Sequence, residues 1–264
     1  MAVVERFAVP ARGVGLPDYS APQPLGAVPV GPTYTLTNMA ELAVRLGSIN
    51  TFDRRGDVVW FDDFESGAIN KWENLVHISP GAVTPSAVMA RNGAFSAMFT
   101  GAGVAPTGTG IYHYERFPVL GLVGFEASFT LQIGLDRVEF LSDFFDGADS
   151  RFFGVRYNQA TQTLEYVDRL GAWVPLATGL DIFGYISLFH TIKFVVDLRS
   201  NQYVRCLLDN RSYPMANIAG QVVVGAPAVP CWRILAASLS DTVTGVVNYM
   251  DDIILTQNEP ERSI

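Results

Sequence analysis

Two acidic doublets in apolar surroundings decide the fold of this chain. The first stands in Phe61-Asp62-Asp63-Phe64-Glu65-Ser66-Gly67, and the second in Tyr249-Met250-Asp251-Asp252-Ile253-Ile254-Leu255, close to the end of the chain. Carboxylates are costly to bury unless they are hydrogen-bonded or paired, so these need water, a hydrogen-bond network or a cation. We therefore expect strands 58–64 and 247–256 to lie side by side in one sheet.

The sequence between the two doublets has the pattern of a β-protein. Apolar and polar residues alternate along two clear segments, which is typical of strands with one buried face. Turn sequences such as Arg91-Asn92-Gly93 separate many short segments of this kind, and that favours a sandwich or a barrel. The apolar members of the two clear segments are Phe125, Ala127, Phe129, Leu131 and Ile133 in one, and Ile192, Phe194 and Val196 in the other.

The chain before residue 58 differs from the rest. Residues 1–36 hold six prolines among many apolar residues, which excludes a helix or a central strand and predicts an extended arm lying on its own domain or on a neighbouring subunit. Residues 37–57 are predicted as one short helix and a linker, because Asn38 and Glu41 form a capping-box pattern ahead of an apolar stripe that ends at Gly47. The predicted sandwich then covers 58–257, and 258–264 form a tail.

The acidic strands resemble a known family. The first reads Asp-Asp-Phe-Glu-Ser-Gly with Trp72 a few residues later, and the last reads Tyr-Met-Asp-Asp-Ile. This is similar to the concanavalin-A-like or laminin-G-like jelly rolls, as in carbohydrate-binding modules and phage virion proteins, over about residues 58–257. The resemblance implies an all-β fold, a two-sheet antiparallel jelly-roll sandwich whose first and last strands are neighbours. It also implies a structural calcium ion near their junction.

Composition limits the partners of the chain. The net charge is −8, and the only lysines, Lys71 and Lys193, stand among scattered arginines, so no basic face for nucleic acid is expected. No apolar run is long enough to span a bilayer, and the first residues lack a secretory signal. Cys206 and Cys231 are the only cysteines, and free buried thiols are favoured over a disulfide between them.

Two sets of residues are candidates for binding. Glu65, Asp251 and Asp252 offer the oxygen ligands that Ca²⁺ takes; the alternative is that one aspartate of each doublet faces solvent while the other caps a turn. Trp173 near a turn, and Phe144 and Phe145 in the aromatic segment 138–153, are candidates for stacking on sugar rings. Packing in the core is the alternative for these aromatic side chains.

No motif identifies a reaction. The catalytic Glu-x-Asp-x-x-Glu arrangement of the hydrolases in the resembled family is absent. Glu165 and Asp168 are three residues apart, so they would face opposite sides of a strand. Glu139 and Asp143 lie in a segment without a clear strand period. We therefore predict a non-enzymatic structural protein of a phage particle, located in the virion, with itself and other virion subunits as partners. The alternatives are a carbohydrate-binding module, with a glycan as partner, and a polysaccharide-active enzyme.

Overall fold

The structure, a computed structural model, describes residue 53 and residues 55–77, 81–101, 108–225, 229–240 and 245–261. All of them belong to the unit Ile49–Ile264. Within these residues the chain forms strands and no helix. The predicted arm at 1–36 and the predicted short helix lie outside the described residues.

The strands that the structure describes are separated by turns and loops. They are β1 Asp57–Asp62, β2 Asn74–His77, β3 Ala82–Ser86, β4 Ser96–Thr100, β5 Gly108–Arg116, β6 Leu122–Thr130, β7 Arg137–Phe145, β8 Asp149–Asn158, β9 Thr163–Val167, β10 Trp173–Ala177, β11 Phe189–Asp197, β12 Gln202–Leu208, β13 Arg211–Pro214, β14 Gln221–Val224, β15 Cys231–Leu239 and β16 Val247–Gln257.

The strands form two antiparallel sheets that pack face to face. Sheet A has the order β13-β12-β11-β6-β16-β4-β3, with β1 also paired to β16. Sheet B has the order β10-β9-β8-β7-β15-β5-β2, with β14 also paired to β8. The prediction of a two-sheet jelly-roll sandwich is therefore confirmed.

Alternation along the strands sends one set of side chains from each sheet into a shared core. In sheet A these include Phe125 and Phe129 on β6, and in sheet B they include Phe140 on β7; Phe140 lies 5.9 Å and 5.7 Å from the other two rings, centroid to centroid. Burial of such rings is the main driving force for joining the sheets, at about 25 cal/mol per Å² of apolar surface. The core therefore follows the period-2 pattern of the sequence.

The predicted pairing of the first and last strands is confirmed. β1 runs antiparallel to β16, with Asp62 opposite Ile253. Asp62 is buried, accepts a hydrogen bond from the Trp72 indole at 2.8 Å, and lies 3.0 Å from the Lys71 ammonium. The oxygen next to Lys71, Oδ1, also accepts a hydrogen bond from the amide of Phe64, whose backbone is left-handed. The Asp62 carboxylate, with its three partners, thus holds the chain in place where β1 ends.

β6 and β11 were each expected to have one buried and one exposed face. This expectation is wrong, because the polar face is buried as well. Glu126 on β6 and Lys193 on β11, which alternate with the core residues, are themselves almost fully buried. Asp53 and Glu259 lie against them, with Lys193 Nζ only 2.7 Å from Glu259 Oε1. Ile133 is also not a core residue, because β6 ends at Thr130 and the side chain is 85% exposed.

The two cysteines are free thiols on different sheets, Cys206 on β12 and Cys231 on β15. Burial raises the pKa of both thiols, which suppresses the reactive thiolate form. In the part of the chain that the structure describes, no helix is long and apolar enough to cross a membrane.

Candidate functional site

The three predicted metal ligands lie on both sides of one loop. Glu65 Oε1 accepts hydrogen bonds from the backbone amides of Ala94 and Phe95, at 2.8 and 2.9 Å. Asp251 Oδ2 accepts the amide of Arg91 at 2.8 Å. The carboxylates of Glu65 and Asp251 therefore hold the loop between β3 and β4 through its backbone amides. Hydrogen bonds of this kind offset the cost of burying a carboxylate.

Asp251 and Asp252 are buried next to each other at a bulge in β16, where Asp252 has a left-handed backbone. Burial, with the neighbouring Asp252 charge, raises the pKa of Asp251 to about 7. Burial also raises the pKa of Asp252 to about 6, against the opposing effects of Arg91 and Asn92, and the charges of Asp63 and Glu65 add smaller contributions in the same direction. Burial, reinforced by neighbouring carboxylates, thus holds the pKa of both aspartates above the ordinary value.

Several carboxylates close together favour binding of a cation, but their side chains do not form a coordination site. Among the described residues, no three side chains of the metal-binding types converge on one point. Glu65 uses one carboxylate oxygen on backbone amides, and Asp251 uses both. Calcium at Glu65, Asp251 and Asp252 therefore stays a prediction.

If calcium binds at this loop, it will raise the melting temperature of the purified protein. A cation that binds only the folded state stabilises it by about 2.7 kcal/mol at a hundred times its dissociation constant. Differential scanning calorimetry in excess chelator and in CaCl₂ measures this, with MgCl₂ as the matched control. Identical melting curves in all three, together with no calcium by elemental analysis, refute the site.

The three predicted ligand-binding aromatics divide between two environments. Phe144 is fully buried in the core, where its ring stacks on Trp232 at 5.0 Å. A bound sugar cannot reach the ring there, so the prediction that Phe144 binds a ligand is wrong. Phe145 and Trp173 lie half-buried on the opposite side of sheet B, which we call the outer face because it points away from the core.

The outer face of sheet B is organised in rows that cross the strands. One row runs from Tyr114 on β5 through Arg233 on β15 and Asp143 on β7 to Phe152 on β8. The next row runs through Tyr112, Leu235, Leu141 and Gly154, in the same strand order. Residues that lie far apart in the sequence are therefore side by side on this surface.

A cavity of about 240 Å³ lies on these two rows. Its volume is just below the range of about 300–1,000 Å³ that small-molecule sites occupy. Gly154 keeps this part of the face low, because a Cβ at that position would stand 2.7 Å from Leu141 Cδ2 and 3.2 Å from Trp173. We call this cavity the outer groove; it is lined by Tyr112, Leu141, Asp143, Phe152, Arg233 and Leu235.

One ion pair sits in the outer groove. Arg233 Nε lies 3.0 Å from Asp143 Oδ2, and a second guanidinium nitrogen contacts the same oxygen. Burial raises the pKa of Asp143, against the opposing effects of Arg233 and Ser150. Burial alone would lower the pKa of Arg233, but Asp143, helped by Tyr114, outweighs it and raises that pKa. The pair is therefore a fixed, polar element in a largely apolar groove.

A second charged cluster lies beside the groove on the same face. Arg156 on β8 contacts Glu165 at 2.5 Å and Glu139 at 3.1 Å, and Arg137 contacts Glu139 at 3.1 Å. The Arg156 guanidinium also lies 4.2 Å from the centre of the Trp173 ring, within the range of a cation–π contact. Trp173 is thus held in place by a charged neighbour at the rim.

The ion pair of the groove was not predicted from the sequence. Arg137, Glu139, Leu141, Asp143 and Phe145 do alternate on β7, and this period of two was the available signal. The apolar–polar alternation of β7 is incomplete, because the outer side carries Leu141 and Phe145 and the core side carries Ser142. Arg233 gave no signal, because it stands 90 positions from Asp143 in the chain.

Comparisons with known proteins support the fold. No family model and no curated protein sequence matches the chain. A solved structure of a carbohydrate esterase from the Shiga toxin-encoding bacteriophage phi24B is similar with a TM-score of 0.54 and 12% identity, over 77% of this chain and 100% of that one. At this identity the likeness shows the shared jelly-roll fold.

Two further similar structures have a TM-score of 0.49 each, a level at which they carry no argument. An endo-β-1,4-glucuronan lyase from the fungus Trichoderma reesei has 11% identity and covers 76% of this chain and 96% of its own. An alginate lyase from Chlorella virus has 7% identity and covers 76% of this chain and 100% of its own.

The comparisons correct two predictions. A non-enzymatic structural role in a phage particle is wrong, because the similar solved structure with a TM-score of 0.54 is a carbohydrate esterase, and virion subunits as partners find no support. The prediction that the chain is not an enzyme is corrected as well, since the fold is shared with that esterase. The absent Glu-x-Asp-x-x-Glu motif excluded only a site built on one strand, whereas the outer groove is built across four.

Proposed function

We propose that this protein binds a carbohydrate in the outer groove of sheet B. The observation that carries the proposal is the arrangement of the groove: two aromatic rings, Tyr112 and Phe152, on either side of the Asp143–Arg233 pair. Sugars have apolar C–H faces and a rim of hydroxyl groups. Aromatic rings cover the former, and a carboxylate with a guanidinium offers both an acceptor and donors for the latter.

The position of the groove also supports binding. Its lining residues stand on β5, β15, β7 and β8, in the middle of sheet B. Side chains on neighbouring strands of a sheet are held more precisely than side chains on loops. The groove therefore offers a preformed surface, which lowers the entropic cost of binding.

Replacing Phe152 by alanine is expected to weaken binding roughly tenfold, as removal of a central aromatic contact does at an interface. Isothermal titration with a panel of soluble polysaccharides measures the dissociation constant. Tyr185→Ala is the matched control, because Tyr185 is 57% exposed on the connection between β10 and β11 and does not line the groove. Equal losses in both variants would refute the groove as the binding site.

A carbohydrate-active enzyme is the second candidate function. The observation in its favour is Tyr114, which is 40% exposed at the end of the same row and lies opposite Arg233 on the neighbouring strand. A tyrosine hydroxyl can pass a proton to or from a bound substrate. Incubation with the panel, followed by assay of new reducing ends, unsaturated products and released acetate, tests this; turnover that Tyr114→Phe abolishes while binding remains would assign it.

A further inference from the structure

Two groups of charged side chains on the outer face of sheet B are each balanced. The groove contains Arg233 with Asp143, and the neighbouring cluster contains Arg137 and Arg156 with Glu139 and Glu165. Three arginines therefore face three carboxylates, and each of these arginines has a carboxylate within 3.1 Å. No positive charge in the two groups is left to neutralise an acidic ligand.

Asp143 is the residue that cancels the positive charge inside the groove. Its side chain is 7% exposed, and it is bound by Arg233 and by the Ser150 hydroxyl, 3.4 Å away. The Arg233 side chain is more accessible, at 38%. A ligand that enters the groove can thus contact the guanidinium, but it meets a guanidinium already paired with a fixed carboxylate.

An acidic sugar would be at a disadvantage in such a groove. Its carboxylate would compete with Asp143 for Arg233, and like charges placed close together repel. The net charge of −8 on the whole chain also disfavours the approach of a polyanion. An uncharged sugar meets neither obstacle, because hydroxyl groups donate to carboxylates and accept from guanidinium groups.

We propose that the outer groove selects uncharged glycans and that Asp143 is the residue that excludes acidic ones. This inference rests on the proposed function and names its ligand class. Asp143 acts here as a specificity-determining residue: removing its charge while keeping its shape frees Arg233 for an acidic ligand.

The test compares two probes on three proteins. Uncharged xylo- and cello-oligosaccharides and acidic oligouronates are titrated into the wild type, Asp143→Asn and Asp181→Asn at low salt. Asp143→Asn is expected to gain about ten- to a hundredfold affinity for the oligouronates, the range of a hydrogen bond between charged groups. Added salt should reduce this gain. Asp181→Asn makes the same change of charge at an exposed position outside the groove and should gain nothing.

A second variant covers a failure of Asp143→Asn to fold. Glu139→Gln removes one carboxylate from the neighbouring cluster, where it contacts both Arg137 and Arg156. It should shift selectivity toward oligouronates in the same direction, by a smaller factor because it lies outside the groove. Circular dichroism and melting temperature show which variants are folded before titration.

The outcomes separate the two proposals. Wild type that binds uncharged glycans, with a gain for oligouronates in the variants, supports the inference. Wild type that prefers oligouronates overturns the inference but leaves carbohydrate binding intact, and folded variants that gain no affinity for oligouronates overturn the role of Asp143. Wild type that binds no glycan of either class refutes the proposed function, and the inference with it.

Discussion

Replacing Lys193 by methionine is expected to lower the free energy of unfolding by about 3–5 kcal/mol, the usual cost of removing one partner from a buried charge group. The Lys193 ammonium is fully buried and lies 2.7 Å from Glu259 Oε1 and 3.5 Å from Asp53 Oδ2. It also donates to the backbone carbonyls of Asp53 and Arg55, at 3.0 and 3.1 Å. Without it, several buried acceptors lose their donor at once. Urea unfolding monitored by circular dichroism measures the loss.

The other lysine of the chain provides the matched control. Lys71 is 37% exposed and pairs with Asp62, so Lys71→Met should cost about 1 kcal/mol or less, as for partly exposed ion pairs. Similar losses for Lys193→Met and Lys71→Met would contradict the buried network.

In excess chelator, the free energy of unfolding is expected to fall on the order of 3 kcal/mol as the pH rises from about 4 to about 8. The main cause is the acidic pair in β16, since burial raises the pKa of Asp251 to about 7 and that of Asp252 to about 6. Between the ordinary aspartate pKa and these values, the folded state binds more protons than the unfolded state. Stability is therefore present at low pH and is lost as the pH rises through the folded pKa values.

Asp252→Asn isolates this contribution from that of other titrating groups. An asparagine oxygen can still accept the hydrogen bond from the Asn92 amide, while the like-charge repulsion with Asp251 disappears. The variant should match the wild type near pH 4 and exceed it by about 1–2 kcal/mol near pH 8. Chemical unfolding at a series of pH values measures the difference. A difference that does not change with pH would show that the pair is not strained by its charge.

Local sequence patterns predicted the sandwich well. A period of two along a strand sends alternate side chains to opposite faces whatever the rest of the chain does, so Phe125, Phe129 and Phe194 could be assigned to the core from their spacing alone, and they are buried. The acidic strands were also paired correctly, with Asp62 opposite Ile253. Trp72 was singled out as part of the motif, and its indole is bound by Asp62.

The sequence by itself therefore determined the strands, their inward faces and the junction of the first strand with the last. Only the tertiary structure decided what each outward face does. On sheet A the polar face is buried, because Asp53 and Glu259, which stand at opposite ends of the unit, meet Lys193. On sheet B, Asp143 and Arg233 become neighbours through strand order and register. Periodicity reports which way a side chain points, but sheet order and the course of distant segments decide what it meets there.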